Sequence, residues 1–414
     1  MSSKEARQQL LALSWTKKAL TLSYVVFVFP LAFLWKLAKS PVQLRGYPKP
    51  WRRKIREILL QAIRDGLDVT QMRFLLKGNT KTAYEAWAKS KDVDPREDVI
   101  AHGGRILWVG KGPKDSEEDS KVVLYFHGGG YLLPMQEWSL DYWSTAIKVL
   151  EKSKKHVSVA ALAYNLSGES TYPVQLNQAL AAIEHLLKVG YKPSNIVLAG
   201  DSAGANLVFQ VLLHLNLLRL RSTSSASDVD VAETGVATFE LPADLKLRGA
   251  LGISPWFPVH SKKAAAKSYQ ENRGSDIISP EALRDFARIY AAGVPESHKP
   301  HFDFTTTPKE WFKGLDGVVD RILITVGEKE LLRDDILEVA RGKVAEYHPD
   351  TTIILQEFGV HDDVFYDAAA GLDPLTTKLT LEILEWLEAV LNQGTLGRWP
   401  RLLSLKRDKA SHSD

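Results

Sequence analysis

The chain of 414 residues lacks cysteine entirely and carries little net charge. Without cysteine, disulfide bonds, thiolate catalysis and cysteine-ligated zinc are excluded. The formal net charge of +3 is too small to indicate nucleic-acid binding, so we expect no nucleic-acid partner. The sequence also shows no internal repeat. Its 45% hydrophobic and 25% charged residues are typical of a globular protein with one large α/β core and additional elements.

Two glycine-rich motifs each follow directly on an apolar run that predicts a buried strand, at residues 122–126 and 196–199. A serine on a tight turn between strand and helix exposes its hydroxyl at the top of a parallel sheet. An earlier glycine loop supplies backbone N–H groups to the same spot. Together they indicate serine-based ester chemistry. The first motif comprises His127, Gly128, Gly129 and Gly130, and the second comprises Gly200, Asp201, Ser202, Ala203 and Gly204.

Ser202 is the predicted nucleophile, and a serine hydroxyl needs a base to take its proton. In this arrangement an acidic residue and then a histidine follow the serine, each just beyond the end of a strand. Glu330 and His361 satisfy that order, since they follow the apolar runs 321–326 and 352–358. We therefore expect His361 to act as general base and then as general acid, while Glu330 orients the imidazole and stabilises its cation.

Neighbouring carboxylates leave the identity of the acid open. Glu328 and Asp334 are the alternatives to Glu330, and Asp335 lies beside them. Because Asp334 and Asp335 directly precede a predicted helix over 336–347, capping of that helix explains both residues better than catalysis does.

Backbone N–H groups of Gly129, Gly130 and Ala203 are the predicted oxyanion hole, since three donors aimed at one developing oxyanion suit acyl transfer. Glycine is required because a side chain there would block the substrate carbonyl. His127 is expected to orient the glycine loop, and Asp201 to stabilise the serine turn. This chemistry needs neither a metal nor an organic cofactor, so we expect none.

Residues 19–35 carry no charge and lie between Lys17 and Lys18 on one side and Lys36 on the other. The run is at the short end for crossing a bilayer, and Pro30 would kink such a helix without preventing insertion. A membrane anchor is the favoured interpretation. The alternatives are a buried or interfacial helix that covers the active site, and a cleaved signal peptide. Basic residues are more numerous after the run, which favours a cytosolic catalytic domain but leaves the side of the membrane open.

On these motifs the chain resembles the hormone-sensitive lipase group of α/β-hydrolases (the GDXG type), which includes the arylacetamide deacetylases. The resemblance covers residues 120–390. Two departures stand out: residues 167–170 read Ser-Gly-Glu-Ser where Ala-Pro-Glu is usual, and Glu330 precedes two leucines where the group often has aspartate before Pro-Leu. Further matching residues are Ser254, Pro255, Trp256, and Tyr164, Asn165 and Leu166 with Tyr172 and Pro173.

The resemblance implies an α/β-hydrolase fold with a mostly parallel central sheet, flanking helices and a helical cap. Alternating strand and helix signals predict the same sheet. Residues 1–40 would form an N-terminal segment like a membrane anchor, 41–100 the N-terminal cap helices, and 101–395 the α/β-hydrolase domain. A cap insertion would occupy about 262–315, and 396–414 would form a basic tail.

The N-terminal segment and the motif around His361 are most similar to fungal steryl acetyl hydrolase-like esterases. That resemblance implies a serine carboxylic-ester hydrolase that deacetylates a lipophilic ester in lipid or secondary-metabolite metabolism. It also implies a membrane-associated enzyme at the endoplasmic reticulum. Two alternatives remain: an acyltransferase with the same triad, and a non-catalytic ligand-binding protein, which the presence of His361 disfavours. The motif consists of Gly359, Val360, His361, Asp362 and Asp363.

Overall fold

The computed structural model describes residues 8–43, 49–113, 120–153, 156–223, 235–242, 244–259 and 266–392. The predicted basic tail over 396–414 lies outside the described residues, as do 1–7 of the N-terminal segment and 44–48 of the cap region.

An eight-stranded sheet with the order β1-β2-β4-β3-β5-β6-β7-β8 forms the centre of the molecule. β2 pairs antiparallel with β1 and with β4, and the remaining neighbours are parallel. The short edge strand β1 was not predicted, because three residues carry no usable periodicity. The strands are β1 Glu97–Val99, β2 Arg105–Val109, β3 Lys121–Phe126, β4 Val157–Ala163, β5 Ile196–Asp201, β6 Gly249–Ile253, β7 Ile322–Gly327 and β8 Thr351–Gln356.

Helices cover both faces of the sheet, because β3, β5, β6 and β7 are buried along their whole length and expose no polar face. The helices are α1 Trp15–Ser23, α2 Phe29–Gln43, α3 Trp51–Gly66, α4 Val69–Leu75, α5 Thr80–Ser90, α6 Glu137–Leu150, α7 Val174–Lys188, α8 Ala203–Thr223, α9 Lys267–Glu271, α10 Pro280–Tyr290, α11 Arg333–Val339, α12 Ala345–Tyr347, α13 Tyr366–Ala369 and α14 Lys378–Leu391.

The parallel register brings the carboxyl ends of five strands to one edge of the sheet. Phe126 lies opposite Gly200, and Asp201 lies opposite Ile253. Further along, Gly327 lies opposite Gln356. The loops that follow these strands therefore open into a common crevice, where α/β sheets bind their ligands.

Helices from two regions cover this crevice. α3 and α4 come from the N-terminal region, and α10 comes from the insertion after β6. Asp68 and Asn79 cap α4 and α5, and each forms a reciprocal capping box that fixes the start of its helix. α1 and α2 are joined by one π-helical turn, Tyr24–Val28, and lie outside α3 and α4. We call the helical segment 15–43 the N-terminal helix.

A buried ion cluster fastens α3 to the loop after β8. Arg53 is fully buried and its guanidinium lies 2.8 Å from the carboxylate of Asp363. The same group donates to the Asp363 carbonyl at 2.9 Å and lies 3.4 Å from Glu57. Burial raises the pKa of Asp363, but the charges of Arg53 and Lys49 outweigh that effect and hold it below its ordinary value. α3 is thus tied to the segment that carries His361.

We expect Arg53→Met to lower the free energy of unfolding by about 3–5 kcal/mol, because it leaves the Asp363 carboxylate buried beside fewer positive charges. Urea denaturation followed by circular dichroism measures the change. Arg52→Met, on the exposed side of the same helix, is the matched control and should cost less than about 0.5 kcal/mol. Equal losses in the two variants would contradict the assignment of Arg53 as the anchor.

Candidate active site

Ser202 occupies the sharp turn between β5 and α8. Its φ is 49°, a left-handed conformation that is strained for a residue with a side chain. The turn is tight enough that a Cβ on Gly204 would collide with the carbonyl of Phe126, and one on Gly200 would collide with the backbone of Gly204. Both glycines of the predicted motif are therefore required by close approach of the backbone.

His361 and Glu330 meet at the same edge of the sheet. His361 Nδ1 lies 2.7 Å from Glu330 Oε1, and both side chains are buried. Glu330 Oε2 accepts hydrogen bonds from the amide of Gly327 at 2.9 Å and from the hydroxyl of Ser254 at 3.0 Å. These two donors fix the carboxylate, and the carboxylate fixes the imidazole.

The side chains of the two alternative acids bind other groups than His361. Glu328 accepts from the amide of Phe358 at 3.0 Å, and Asp334 accepts from the amide of Ser268 at 2.8 Å. The expectation that Asp334 and Asp335 cap a helix is wrong, because α11 already begins at Arg333 and has no side-chain cap. Asp334 instead joins this helix to the start of α9.

Ser202 and His361 line one cavity, but no hydrogen bond joins their side chains. Within the described parts of the chain, Ser202 Oγ has no hydrogen-bond partner. His361 Nε2 lies 3.3 Å from Asp362 Oδ2. Asp362 has a φ of 54°, so this residue too is held in a left-handed conformation. The free edge of the imidazole therefore faces both a carboxylate and the cavity that contains the serine.

The glycine loop after β3 has the backbone that an oxyanion hole requires. Gly129 and Gly130 have φ values of 97° and 60°. A Cβ on Gly130 would collide with the ring of Phe286, and one on Gly129 would lie 2.9 Å from the carbonyl of Leu133. In the described structure neither glycine amide donates to a backbone carbonyl. Ala203 follows Ser202 as the first residue of α8.

His127 has the surroundings of a positioning group. Its Nδ1 lies 2.7 Å from the carbonyl of Gly128, and its Nε2 lies 2.8 Å from the hydroxyl of Thr80. Burial lowers the pKa of His127 to about 4, so the ring is neutral at pH 7 and donates to Gly128 while accepting from Thr80. Thr80 belongs to α5, so an N-terminal cap helix also orients the glycine loop.

Asp201 also has partners consistent with a turn-stabilising role. Its carboxylate accepts hydrogen bonds from the Tyr125 hydroxyl and from the amide of Gly128. It thereby joins the serine turn to the glycine loop. Burial raises the pKa of Asp201 to about 6.

Asp276 is a buried carboxylate that sequence reasoning missed. It lies in the insertion between α9 and α10 and accepts from the amides of His361 at 2.9 Å and Leu331 at 2.7 Å. It therefore holds the loops that carry the histidine and the acid. No motif surrounds Asp276, and only the folded chain brings it to residues 331 and 361.

Several negative charges surround the imidazole. Burial alone lowers the pKa of His361, but the neighbouring carboxylates, with Asp362 and then Glu330 contributing most, outweigh that effect and raise it to about 10. Burial also raises the pKa of Asp276 to about 6. The histidine therefore binds a proton more tightly than an isolated imidazole does.

An apolar cavity of about 490 Å³ lies above Ser202 and His361. Its walls come from the glycine loop, from both sets of cap helices and from the N-terminal helix. Side chains representative of these walls are Val25, Phe29, Leu59, Ile63, Leu75, Ile278, Leu283 and Phe286.

The comparisons with known proteins agree with this geometry. Residues 123–362 match a family model described as alpha/beta hydrolase fold. The chain belongs to this family. The predicted fold class and the resemblance to the hormone-sensitive lipase group are confirmed. Its relatives are named as esterases, acetyl-hydrolases and carboxylesterases, so the predicted class of serine carboxylic-ester hydrolases is confirmed as well.

Two curated relatives illustrate the range of similarity. An acetyl-hydrolase of Streptomyces hygroscopicus is 30% identical over 58% of this chain and 67% of its own length. Steryl acetyl hydrolase 1 of Saccharomyces cerevisiae is 22% identical over 65% of this chain and 60% of its own length. Among solved structures, an esterase from the bacterial hormone-sensitive lipase family superposes with a TM-score of 0.56 at 21% identity, over 83% of this chain and 99% of that chain.

We expect Asp362→Asn to shift the acidic limb of the pH profile of kcat/KM downwards by about one unit or more, with a water-soluble aryl ester as substrate. Removing a negative charge beside His361 lowers the pKa of the imidazole, and a general base acts only when neutral. Asp362→Glu retains the charge and should leave the limb near its original pH. An unchanged limb in Asp362→Asn would show that this carboxylate does not influence the base.

Proposed function

We propose that the chain hydrolyses carboxylic esters through Ser202, His361 and Glu330. One observation carries the proposal: the His361 imidazole is bonded at 2.7 Å to a buried, doubly hydrogen-bonded Glu330 and lines the same cavity as the strained Ser202. Such a constellation activates a serine hydroxyl in acyl transfer.

The proposed reaction begins with His361 in its neutral form, when Nε2 turns from Asp362 to Ser202 and takes the hydroxyl proton. Ser202 Oγ attacks the ester carbonyl, and the N–H groups of Gly129, Gly130 and Ala203 stabilise the resulting oxyanion. The imidazolium then protonates the leaving alcohol, and an acyl-enzyme forms. Water activated by the same imidazole attacks the acyl carbon, and release of the acid restores Ser202.

The substrate that we propose is an ester with a bulky apolar group. The apolar walls of the cavity support this, because burial of apolar surface favours lipophilic ligands. The steryl acetyl hydrolase of Saccharomyces cerevisiae supports an acetyl ester as the specific class. The apolar segment Gln8–Lys39, which includes most of the N-terminal helix, supports membrane association, with the endoplasmic reticulum as the proposed site.

Ser202→Ala should reduce kcat/KM for a soluble aryl acetate by at least about 10⁴-fold, because the nucleophile is lost. A serine-directed fluorophosphonate should label the parent protein and not the variant. Labelling of Ser202→Ala at the parental level would place the nucleophile elsewhere.

Glu330→Gln should reduce kcat by roughly 10³- to 10⁴-fold with little change in KM, because the imidazole loses the charge that stabilises its cation. Asp334→Asn is the matched control, since it alters the alternative acid in the first turn of α11 and should retain activity within about threefold. Steady-state kinetics on the same aryl acetate distinguish the two residues. A greater loss in Asp334→Asn than in Glu330→Gln would exchange their roles.

A further inference from the structure

The N-terminal helix has two apolar faces with different surroundings. Towards the molecule, Thr21 is fully buried, and Val25 and Phe29 line the catalytic cavity. Towards solvent, a stripe at helical spacing is exposed, with Leu20 at 68%, Phe27 at 71% and Leu31 at 68% of their surface. Exposed apolar surface of this extent marks an interaction site. One helix is therefore both a wall of the active site and an unpartnered apolar surface.

Ion pairs and packing along the N-terminal helix hold its apolar segment against the cap helices. Lys17 is paired with Asp68 at 2.7 Å, and Lys36 is paired with Asp65 at 2.6 Å. Between these pairs Tyr24 lies so close to Gly66 that a Cβ there would collide with its hydroxyl. The 19 residue steps from Lys17 to Lys36 correspond to about 28 Å of helix, roughly the thickness of the hydrocarbon core.

This arrangement is incompatible with a simple membrane span. If the segment crossed the bilayer, the cap helices attached along its length would enter the hydrocarbon together with Asp65, Asp68 and Arg64. A helix that lies parallel to the membrane surface avoids that cost, because its outer face is immersed while its inner face stays on the protein.

The residues at the margins of the exposed stripe are of the types that favour the lipid headgroup region. Trp15, Trp35 and Trp51 are 85%, 64% and 66% exposed, and tryptophan favours the boundary between water and hydrocarbon. Lys39 lies 4.3 Å above the Trp35 ring, and Arg52 lies 5.6 Å from the Trp51 ring.

No aspartate or glutamate occurs between Glu5 and Glu57, so the helix itself carries no negative side chain. The nearby Asp68 and Asp65 of the cap pair with Lys17 and Lys36, and further cations lie beside the exposed tryptophans: Lys18, Lys39 and Arg52. This charge complements a surface that contains anionic phospholipid.

We infer that the N-terminal helix lies in the plane of a phospholipid membrane, and that lipophilic esters enter the cavity from the bilayer past its inner face. The inferred route of the substrate rests on the proposed function. The orientation of the helix is tested separately from the hydrolytic chemistry.

Vesicle flotation of the full-length protein tests membrane docking. We expect Phe27→Asp combined with Leu31→Asp to weaken binding to phosphatidylcholine–phosphatidylserine vesicles at least tenfold, since two large apolar side chains lose their burial in lipid. The same variant should hydrolyse a soluble aryl acetate at the parental rate and lose turnover of a long-chain ester presented in vesicles. Parental binding by the variant would overturn the inference.

Val25→Trp is the matched change on the inner face. It should shift the preference of the enzyme towards smaller esters by reducing the cavity, while vesicle binding stays within about twofold of the parent. Unchanged selectivity would overturn the role of the helix as a wall. If the parent protein hydrolysed no ester at all, the proposed function would fail, whereas flotation would still report on docking.

Because the chain contains no cysteine, single cysteines report the orientation of the helix directly. Ala12 is exposed just before the N-terminal helix begins, and Ser90 is exposed at the end of α5. In sealed microsomes, Ala12→Cys and Ser90→Cys should react with a membrane-impermeant maleimide from the same side. Reaction from opposite sides would show that the helix spans the membrane and would overturn the inference.

Discussion

The structure depends on one buried imidazole held among carboxylates from different parts of the chain. Glu330 binds the Nδ1 edge of His361, Asp362 faces Nε2, and Asp276 holds the backbone amide. Like charges in a low-dielectric site are costly unless a cation or hydrogen-bond donors compensate for them. The imidazole supplies the positive charge when it is protonated, which raises its pKa and ties the protonation of the site to its geometry.

This cluster also couples the cap to the catalytic loop. Asp276 belongs to the insertion after β6, and Arg53 belongs to the N-terminal cap. Both reach the short segment 361–363, one through the amide of His361 and the other through Asp363. Both cap regions thus help to hold the His361 imidazole in place, and changes far from Ser202 can disturb it.

Local patterns were sufficient to predict the residues at the strand ends. An apolar run followed by a glycine-rich turn has few structural solutions, so Ser202, the glycine loop and His361 follow from short stretches of sequence. Glu330 was predicted from order along the chain, and only the fold shows that it contacts the imidazole while Glu328 and Asp334 bind elsewhere. Asp276 and the pairing of Asp362 with the imidazole depend on contacts between segments that are distant in sequence. No spacing rule in a single sequence encodes them.

The strength of the contacts differs between the parts of the cavity wall, and this bears on how a substrate enters. α3 is anchored by the fully buried Arg53, and such a buried ion pair is costly to break. The N-terminal helix is held by Lys17 and Asp68, whose side chains are 44% and 36% exposed, and pairs of that kind contribute about 0–1 kcal/mol. The ion pairs of the cap helices therefore hold the catalytic loop more firmly than those of the N-terminal helix hold the outer wall. The more weakly paired wall is also the one with an apolar outer face, which supports the proposed entry of the substrate from a hydrophobic medium.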